Sequence, residues 1–193
     1  MLAGAVGVGA AMLMPRAPAC AASPRVDPRH VAAVQAAFER LGDRIAHRDR
    51  AVLVDFARPS AAPRLFILDM AAGTSHVMPV AHGRGSDPAN SGWLRHFSNV
   101  PGSAASCRGA FASSEVYEGQ HGRSQRLIGL DPTNDKALDR AIVIHSAWYA
   151  EPGMIATHGR LGRSEGCFTV SSASLPALLA ALGPGRLLLA DRF

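Results

Sequence analysis

The first part of the chain has apolar residues that recur at spacings of three and four, the period of one face of a helix. Asp27 stands just before Pro28, which supplies an N-cap followed by a proline at the first helical position. The pattern therefore predicts a long amphipathic helix that begins at Pro28 and ends near His47. Its inward stripe consists of Val31, Val34, Phe38, Leu41 and Ile45.

From residue 51 the pattern changes to short runs rich in Val, Ile, Leu and Phe, which favour strands. A proline-containing turn separates the first two runs, and 141–149 is the strongest strand candidate. The glycine-rich segments 83–100 and 152–162 are predicted to be loops. The strand candidates are 51–57, 64–70, 75–83, 106–113, 126–130, 141–149 and 186–191.

A second helix is predicted near the C-terminus. Ser172 or Ser174 supplies its N-cap, and Gly183 ends it. We find no repeats and no composition shift inside the chain, so the fold class is β-rich α+β: one domain with a long N-terminal helix and a short late helix. The inward residues of this late helix are Leu175, Leu178, Leu179 and Leu182.

The net charge of the 193-residue chain is +5, carried almost wholly by arginine, since Lys136 is the only lysine. The arginines are scattered without interleaved aromatic residues, which argues against a nucleic-acid-binding protein. Residues 1–22 resemble a secretory signal: Leu2 to Met14 is apolar, and small residues suited to cleavage follow. No segment is long enough for a stable membrane span. We therefore expect a periplasmic or secreted protein, although the signal lacks a basic start.

Cleavage near residue 21 removes Cys20 and leaves Cys107 and Cys167. Cys167 follows Gly166 in the stretch GRSEGCFTV, and three interpretations compete: a nucleophile, half of a disulfide with Cys107, or a buried apolar residue. His145 ends an apolar strand 22 residues earlier and is the candidate base. Glycine at 166 permits close backbone approach and leaves N–H groups of the turn as donors to an oxyanion.

The motif HSAWY…GRSEGC resembles the signature of the murein L,D-transpeptidase catalytic domains of the YkuD type. Six blocks in order carry the resemblance from about Ala51 to the C-terminus. It implies an L,D-transpeptidase-like β-sandwich domain over 51–193, preceded by a helical segment over 23–50. The blocks are VDFARPSAAPRLFILDM, VAHGRGS, FSNVPGS, EVYEGQHGRSQRLIGL, NDKALDRAIVIHSAWY and GRSEGCFTV.

The resemblance also implies roles for individual residues. Cys167 matches the nucleophile, His145 the general base, and Ser146 the residue whose main chain steadies that histidine. Gly166 and Cys167 match the oxyanion donors. Two residues depart from the pattern: Glu165 replaces a histidine or aromatic residue, and Phe168 replaces a proline. A carboxylate at 165 raises the thiol pKa if it points at the sulfur, and we expect it to face solvent instead.

Four further residues are candidates for substrate binding. Arg163 and Ser164 belong to the cysteine motif, while His121 and Arg123 lie on a polar hairpin tip that suits a substrate carboxylate. His82 is assigned a structural role. No histidine has metal-ligand spacing, so neither a metal nor a cofactor is expected.

Two functions from different classes remain open at this point. The first is cysteine-dependent acyl transfer on peptidoglycan stem peptides, as a transpeptidase or a carboxypeptidase, through a thioester on Cys167. The second is a non-catalytic cell-wall-binding domain with a Cys107–Cys167 structural disulfide. Acceptor preference and oligomeric state do not follow from the sequence.

Overall fold

Eight strands and three helices make up the fold of a computed structural model, which describes residue 1 and residues 26–193. The predicted signal segment therefore lies almost wholly outside the described residues. Among those residues, no helix is long and apolar enough to cross a membrane. The helices are α1 (Pro28–Leu41), α2 (Pro152–His158) and α3 (Leu175–Leu182); the strands are β1 (Arg50–Asp55), β2 (Leu65–Asp69), β3 (Thr74–Met78), β4 (Gly109–Gly119), β5 (Gly122–Gly129), β6 (Val143–Ser146), β7 (Phe168–Val170) and β8 (Leu187–Asp191).

The strands form one mixed sheet in the order β3-β2-β1-β8-β4-β5-β6-β7. Two neighbouring pairs, β1–β8 and β6–β7, are parallel, and the other pairs are antiparallel. Just after β3, Ala81 forms a bridge to Thr169 of β7, so the two edges of the sheet approach one another. The β-rich prediction is confirmed, but the strands form one sheet curled almost into a barrel rather than the two facing sheets of a sandwich.

The inside of the curled sheet holds the larger core. Phe168 packs there between Phe56 and Phe111, with ring centroids 6.2 and 5.5 Å away. Helix α3 packs against this core. Its four leucines that were predicted to face inward are buried there, which confirms that prediction. The departure from the family pattern at position 168 therefore has a packing explanation, because a phenylalanine fills space among other aromatic rings.

Helix α1 packs on the outside of the sheet and forms a second core with β1, β2, β4 and β8. Its N-cap is Asp27, as predicted, and the carboxylate accepts the N–H of Arg29 at 2.9 Å. The helix ends at Leu41, earlier than predicted, because Gly42 has φ of 54° and leaves the helical conformation. The chain turns there, yet Ile45 stays buried on the same face.

Two elements near the site differ from their predictions. The segment 152–162, expected to be a loop, contains α2. This helix begins at Pro152 and ends at His158, and Gly159 follows it with φ of 67°. Strand β6 covers four residues of the predicted nine, and a short 3-10 helix, Trp148–Ala150, follows it. Proline is favourable in the first helical turn, so the glycine and proline content of this stretch marks helix ends rather than a loop.

Candidate active site

His145 lies on β6, and Cys167 lies immediately before the neighbouring parallel strand β7. In the register of β6 and β7, Ile144 pairs with Phe168 and His145 pairs with Thr169. Ile144 and Phe168 belong to the inner core. Because successive side chains of a strand point to opposite faces, Cys167, Thr169 and His145 share the other face. The sheet thus brings the predicted nucleophile and base to one surface.

The turn before Cys167 is held by Ser164. Its Oγ accepts the Gly166 N–H at 3.1 Å and donates to the Cys167 carbonyl at 2.8 Å. Gly166 has φ of 121°, and a Cβ there would lie 2.7 Å from Ile142 Cδ1 and 2.8 Å from the Ala105 carbonyl oxygen. Only glycine fits this position. The Gly166 N–H already has an acceptor, so its predicted oxyanion role requires Ser164 Oγ to release it.

The segment after β3 supports the same turn from the side. Ser164 donates its N–H to the His82 carbonyl at 2.9 Å, and Arg84 donates its N–H to the Ser164 carbonyl at 2.7 Å. Arg163 donates to the carbonyls of Asp87 and Pro88. Ser164 and Arg163 therefore hold the loop together in this structure, and their predicted contact with substrate stays a prediction.

A buried polar cluster of Arg64, His82 and Asp87 lies beneath this segment. Arg64 Nη2 lies 2.7 Å from His82 Nδ1, and Arg64 also donates to the Val80 carbonyl at 3.0 and 2.8 Å. His82 Nε2 lies 3.4 Å from Asp87 Oδ2. Burial, with Arg64 adding, lowers the pKa of His82 to about 4. Burial also lowers the pKa of Arg64 to about 9. The structural role assigned to His82 fits this environment.

The hydrogen bonds of His145 define its tautomer. Nδ1 lies 3.0 Å from the Ser146 carbonyl oxygen, which only accepts, so Nδ1 carries the proton. Nε2 is then the free acceptor, and the Thr169 hydroxyl lies 3.1 Å from it. Tyr149 OH is 3.3 Å from the same Thr169 oxygen. The main chain of Ser146 thus occupies the position implied by the resemblance, and Thr169 and Tyr149 extend the network.

Cys167 and His145 are both neutral at rest. Burial raises the pKa of the Cys167 thiol, and the Val143 backbone N–H and the Arg140 guanidinium oppose this rise. Cys167 Sγ donates to the Ala141 carbonyl at 3.6 Å. Burial lowers the pKa of His145, while its hydrogen bond to Ser146 raises it. Because burial disfavours both charged forms, a thiolate–imidazolium pair needs additional stabilisation.

A cleft of about 380 Å³ opens over the two residues. Its wall includes three arginines, and Glu165 at the mouth is exposed and paired with Arg84 Nη2 at 3.1 Å. This confirms the expected solvent orientation of Glu165. Arg123 is exposed on β5 and outside the set that lines the cleft. That set is Arg84, Gln120, His121, Arg140, Ala141, His145, Tyr149, Arg163, Ser164, Glu165 and Cys167.

The two cysteines within residues 26–193, Cys107 and Cys167, are both buried free thiols. Burial raises the pKa of Cys107 to about 11, and Cys107 does not line the cleft described above. The structure therefore contains no Cys107–Cys167 disulfide, the feature on which the wall-binding alternative depends.

Sequence reasoning missed several residues of the site. Thr169 and Tyr149 form the network at His145 Nε2, and Arg140 adds charge near the thiol. The alternation in CFTV is a signal for Thr169, because a residue two after the cysteine faces the same side of a strand. Arg140 and Tyr149 have no comparable local signal.

A profile of the L,D-transpeptidase catalytic domain matches residues 22–190, which is most of the chain. The chain therefore belongs to this family. The match includes helix α1 as well as the curled sheet. A comparison with curated proteins found no match.

Solved structures of L,D-transpeptidases are similar to the chain. One from Mycobacterium smegmatis is 13% identical, with 74% of this chain and 58% of that chain covered and a TM-score of 0.44. One from Mycobacterium tuberculosis H37Rv is 13% identical, with coverages of 75% and 58% and a TM-score of 0.48. A further solved structure, that of Bdellovibrio bacteriovorus Bd1075, is 14% identical, with coverages of 75% and 48% and a TM-score of 0.44. The chain spans less than two thirds of the length of each.

Proposed function

We propose that this protein is a cysteine acyltransferase that acts on peptidoglycan stem peptides, as a transpeptidase or a carboxypeptidase. The observation that carries the proposal is the position of Cys167 in the cleft that His145 also lines, directly before the strand that pairs with the strand of His145. Membership of the L,D-transpeptidase catalytic domain family supports the substrate class. Periplasmic or secreted localisation is proposed with it, on the sequence of residues 1–22.

The first step moves a proton from the Cys167 thiol to His145 Nε2, the ring nitrogen that has no proton at rest. The Thr169 hydroxyl that occupies Nε2 has to release it at this point. The sulfur then attacks the carbonyl carbon of a peptide bond between an L-centre and a D-centre. Cationic Arg140 stabilises the thiolate, since its charge lowers the pKa of Cys167.

Collapse of the tetrahedral intermediate breaks the C–N bond, and the imidazolium of His145 returns its proton to the leaving amine. A thioester on Cys167 remains. An amine from a second stem peptide resolves it into a cross-link, whereas water resolves it into a shortened stem. The same base accepts the proton of the incoming nucleophile in either case.

The charges of the cleft suit an acidic substrate. Arg84, Arg140 and Arg163 line it, and Glu165 neutralises only Arg84 through a direct ion pair. Arginine binds carboxylates with a fixed, bidentate geometry. Stem peptides carry free carboxylates, so the cleft charge favours their binding over that of neutral peptides.

The experiment compares two cysteine variants for covalent adducts by mass spectrometry. Wild-type protein and Cys107→Ser are expected to form a stem-peptide thioester or a carbapenem adduct on Cys167. Cys167→Ser is expected to fold and form none, because a serine hydroxyl is a much weaker nucleophile beside the same imidazole. An adduct on Cys167→Ser would overturn the proposal. An intact Cys107–Cys167 disulfide in the oxidised protein, without any adduct, would favour the wall-binding alternative.

A further inference from the structure

The β4–β5 hairpin carries a second histidine to the active site. The two strands stay paired as far as Gly119 and Gly122, while β5 pairs with β6 only at Gln125 and Arg126. The end of the hairpin thus extends beyond β6. A register shift between Ser113 and Val116 bends β4 at the start of this overhang. His121 lies at the tip, and it lines the cleft together with Gln120.

The ring of His121 lies on the ring of His145. Their centroids are 4.3 Å apart, and the planes differ by 18°, so the two imidazoles are stacked. His145 is 2% exposed, and its two nitrogens are occupied by Ser146 and Thr169. The stack covers a face of the ring and completes its enclosure. A side chain 24 residues away in sequence therefore contacts the proposed base directly.

Gln120 is the hydrogen-bond partner of His121 at the hairpin tip. Gln120 Nε2 lies 3.2 Å from His121 Nε2. An amide nitrogen only donates, so this contact is a hydrogen bond only when the imidazole nitrogen is unprotonated. Protonation of His121 would remove that acceptor and place a positive charge against the ring of His145.

We propose that His121 is a positioning residue that holds the ring of His145 by stacking, and that the stack admits only one protonated imidazole at a time. The inference rests on the proposed function for its consequence in catalysis. Proton transfer from Cys167 makes His145 cationic, and two unit charges at this separation repel one another. Thiolate formation therefore requires His121 to be neutral. As a result, the lowest pH at which the protein is active depends on this residue of the hairpin.

Other charged and titratable groups face the stacked pair. They are present both in the wild type and in the His121 variants that are compared below. They come from the segment after β3, the turn before β6, the 3-10 helix after β6 and the cysteine turn. Burial lowers the pKa of His145, and the charge of His121 lowers it further. These groups are Arg84, Arg140, Tyr149, Arg163, Glu165 and Cys167.

The test uses two variants of His121 that lose different properties of its side chain. His121→Phe keeps a flat ring and removes the titrating nitrogen, whereas His121→Ala removes both. His47→Gln, an exposed histidine outside the cleft, is the control. Alkylation of Cys167 by iodoacetamide is followed from pH 4 to pH 9 by mass spectrometry of the Cys167 peptide, on the full chain.

In His121→Phe, the acid limb of the alkylation profile is expected to move to a pH that is lower by about half a unit to one unit. At acid pH, the alkylation rate then rises by up to about tenfold. In His121→Ala the limb moves likewise, and the plateau rate also falls, because the ring of His145 is no longer held. A profile of His121→Phe that superimposes on the wild type would overturn the proposal. A purely structural role of His121 would lower the melting temperature without moving the limb.

NMR titration of the His145 imidazole supplies a readout that needs no acyl transfer. The pKa of His145 is expected to rise in His121→Phe relative to the wild type, because a positive neighbour has been removed. If this rise is found and the wild type forms no adduct on Cys167, the proposed function fails and the stack stands. If adducts form and the His145 pKa is unchanged, the inference fails alone.

Discussion

Glu165 lies two residues before the thiol and yet points away from it. Its side chain is 78% exposed and paired with Arg84, whose guanidinium is also largely exposed. Its charge is one of the smaller causes that raise the pKa of Cys167, after burial. Solvent screens a charge at such a position, so the departure from the family pattern at residue 165 leaves the thiol nearly unaffected.

Glu165→Gln tests this conclusion. Loss of the negative charge is expected to lower the apparent pKa of Cys167 by well under about one unit, since the carboxylate is screened and already paired. The measurement is the pH profile of Cys167 alkylation. Glu118→Gln, which removes an exposed carboxylate from the hairpin, is the control. A shift of a full unit would show that Glu165 belongs to the reacting site.

Gly166→Ala is expected to destabilise the fold by about 1–3 kcal/mol, because alanine rarely adopts the positive φ found there and its Cβ would clash with Ile142 and Ala105. Urea denaturation measures the change. Gly153→Ala is the matched control: nothing lies within 4 Å of its Cβ position in α2. That variant is expected to be neutral or to gain up to about 1 kcal/mol of helix stability. Equal losses in both variants would contradict the account of the cysteine turn.

At the scale of elements, the sequence predicts what depends on neighbours along the chain. The helix stripe around Val34 and the apolar run around Ile144 are local patterns, so α1, α3 and most strands follow from them. The contacts between Arg64 and His82, or between His121 and His145, join different elements, and no local pattern encodes them. No local pattern encodes the curling of the sheet either, since the bridge from Ala81 to Thr169 joins segments that are far apart in the chain.

Helix α1 shares a core with four strands, so the helix packs as part of the same fold as the sheet. Phe38 is 7% exposed within that core, and Arg48 lies over its ring at 5.8 Å. The family match from residue 22 includes the helix. The helix and the sheet are therefore expected to unfold together.

Phe38→Ala tests this coupling. The variant is expected to lose about 3–5 kcal/mol of stability, as large-to-small substitutions of buried phenylalanines do, in a single transition. Denaturation followed by circular dichroism and by tryptophan fluorescence measures it. Gln35→Ala, on the exposed face of α1, should change stability by less than about 0.5 kcal/mol. An unchanged main transition in Phe38→Ala would mean that α1 is an appendage.

At the scale of the whole molecule, the fold buries two histidines whose surroundings disfavour the charged form. His82 accepts from Arg64 and is enclosed with Asp87. His30 of α1 is buried without a hydrogen bond to either ring nitrogen, and Asp55 Oδ2 lies 3.8 Å from its Nε2. Burial lowers the pKa of both histidines. The unfolded chain therefore takes up protons at a higher pH than the folded protein, and acid weakens the fold.

The largest such effect is expected from His82, whose pKa falls from 6.5 to about 4 on folding. Between these values the unfolded state binds a proton that the folded state does not, so stability is complete above pH 6.5 and is lost as the pH falls toward 4. The shift corresponds to about 3 kcal/mol.

His82→Asn keeps an acceptor for Arg64 in place of Nδ1 and removes the titration. It is expected to be less stable at pH 7, since the contact to Asp87 is lost, but to lose about 3 kcal/mol less than the wild type on acidification. His47→Asn, at an exposed position, should retain the wild-type slope. Urea denaturation at half-unit steps of pH measures the slope, and a His82→Asn slope equal to the wild type would assign the acid sensitivity to other groups.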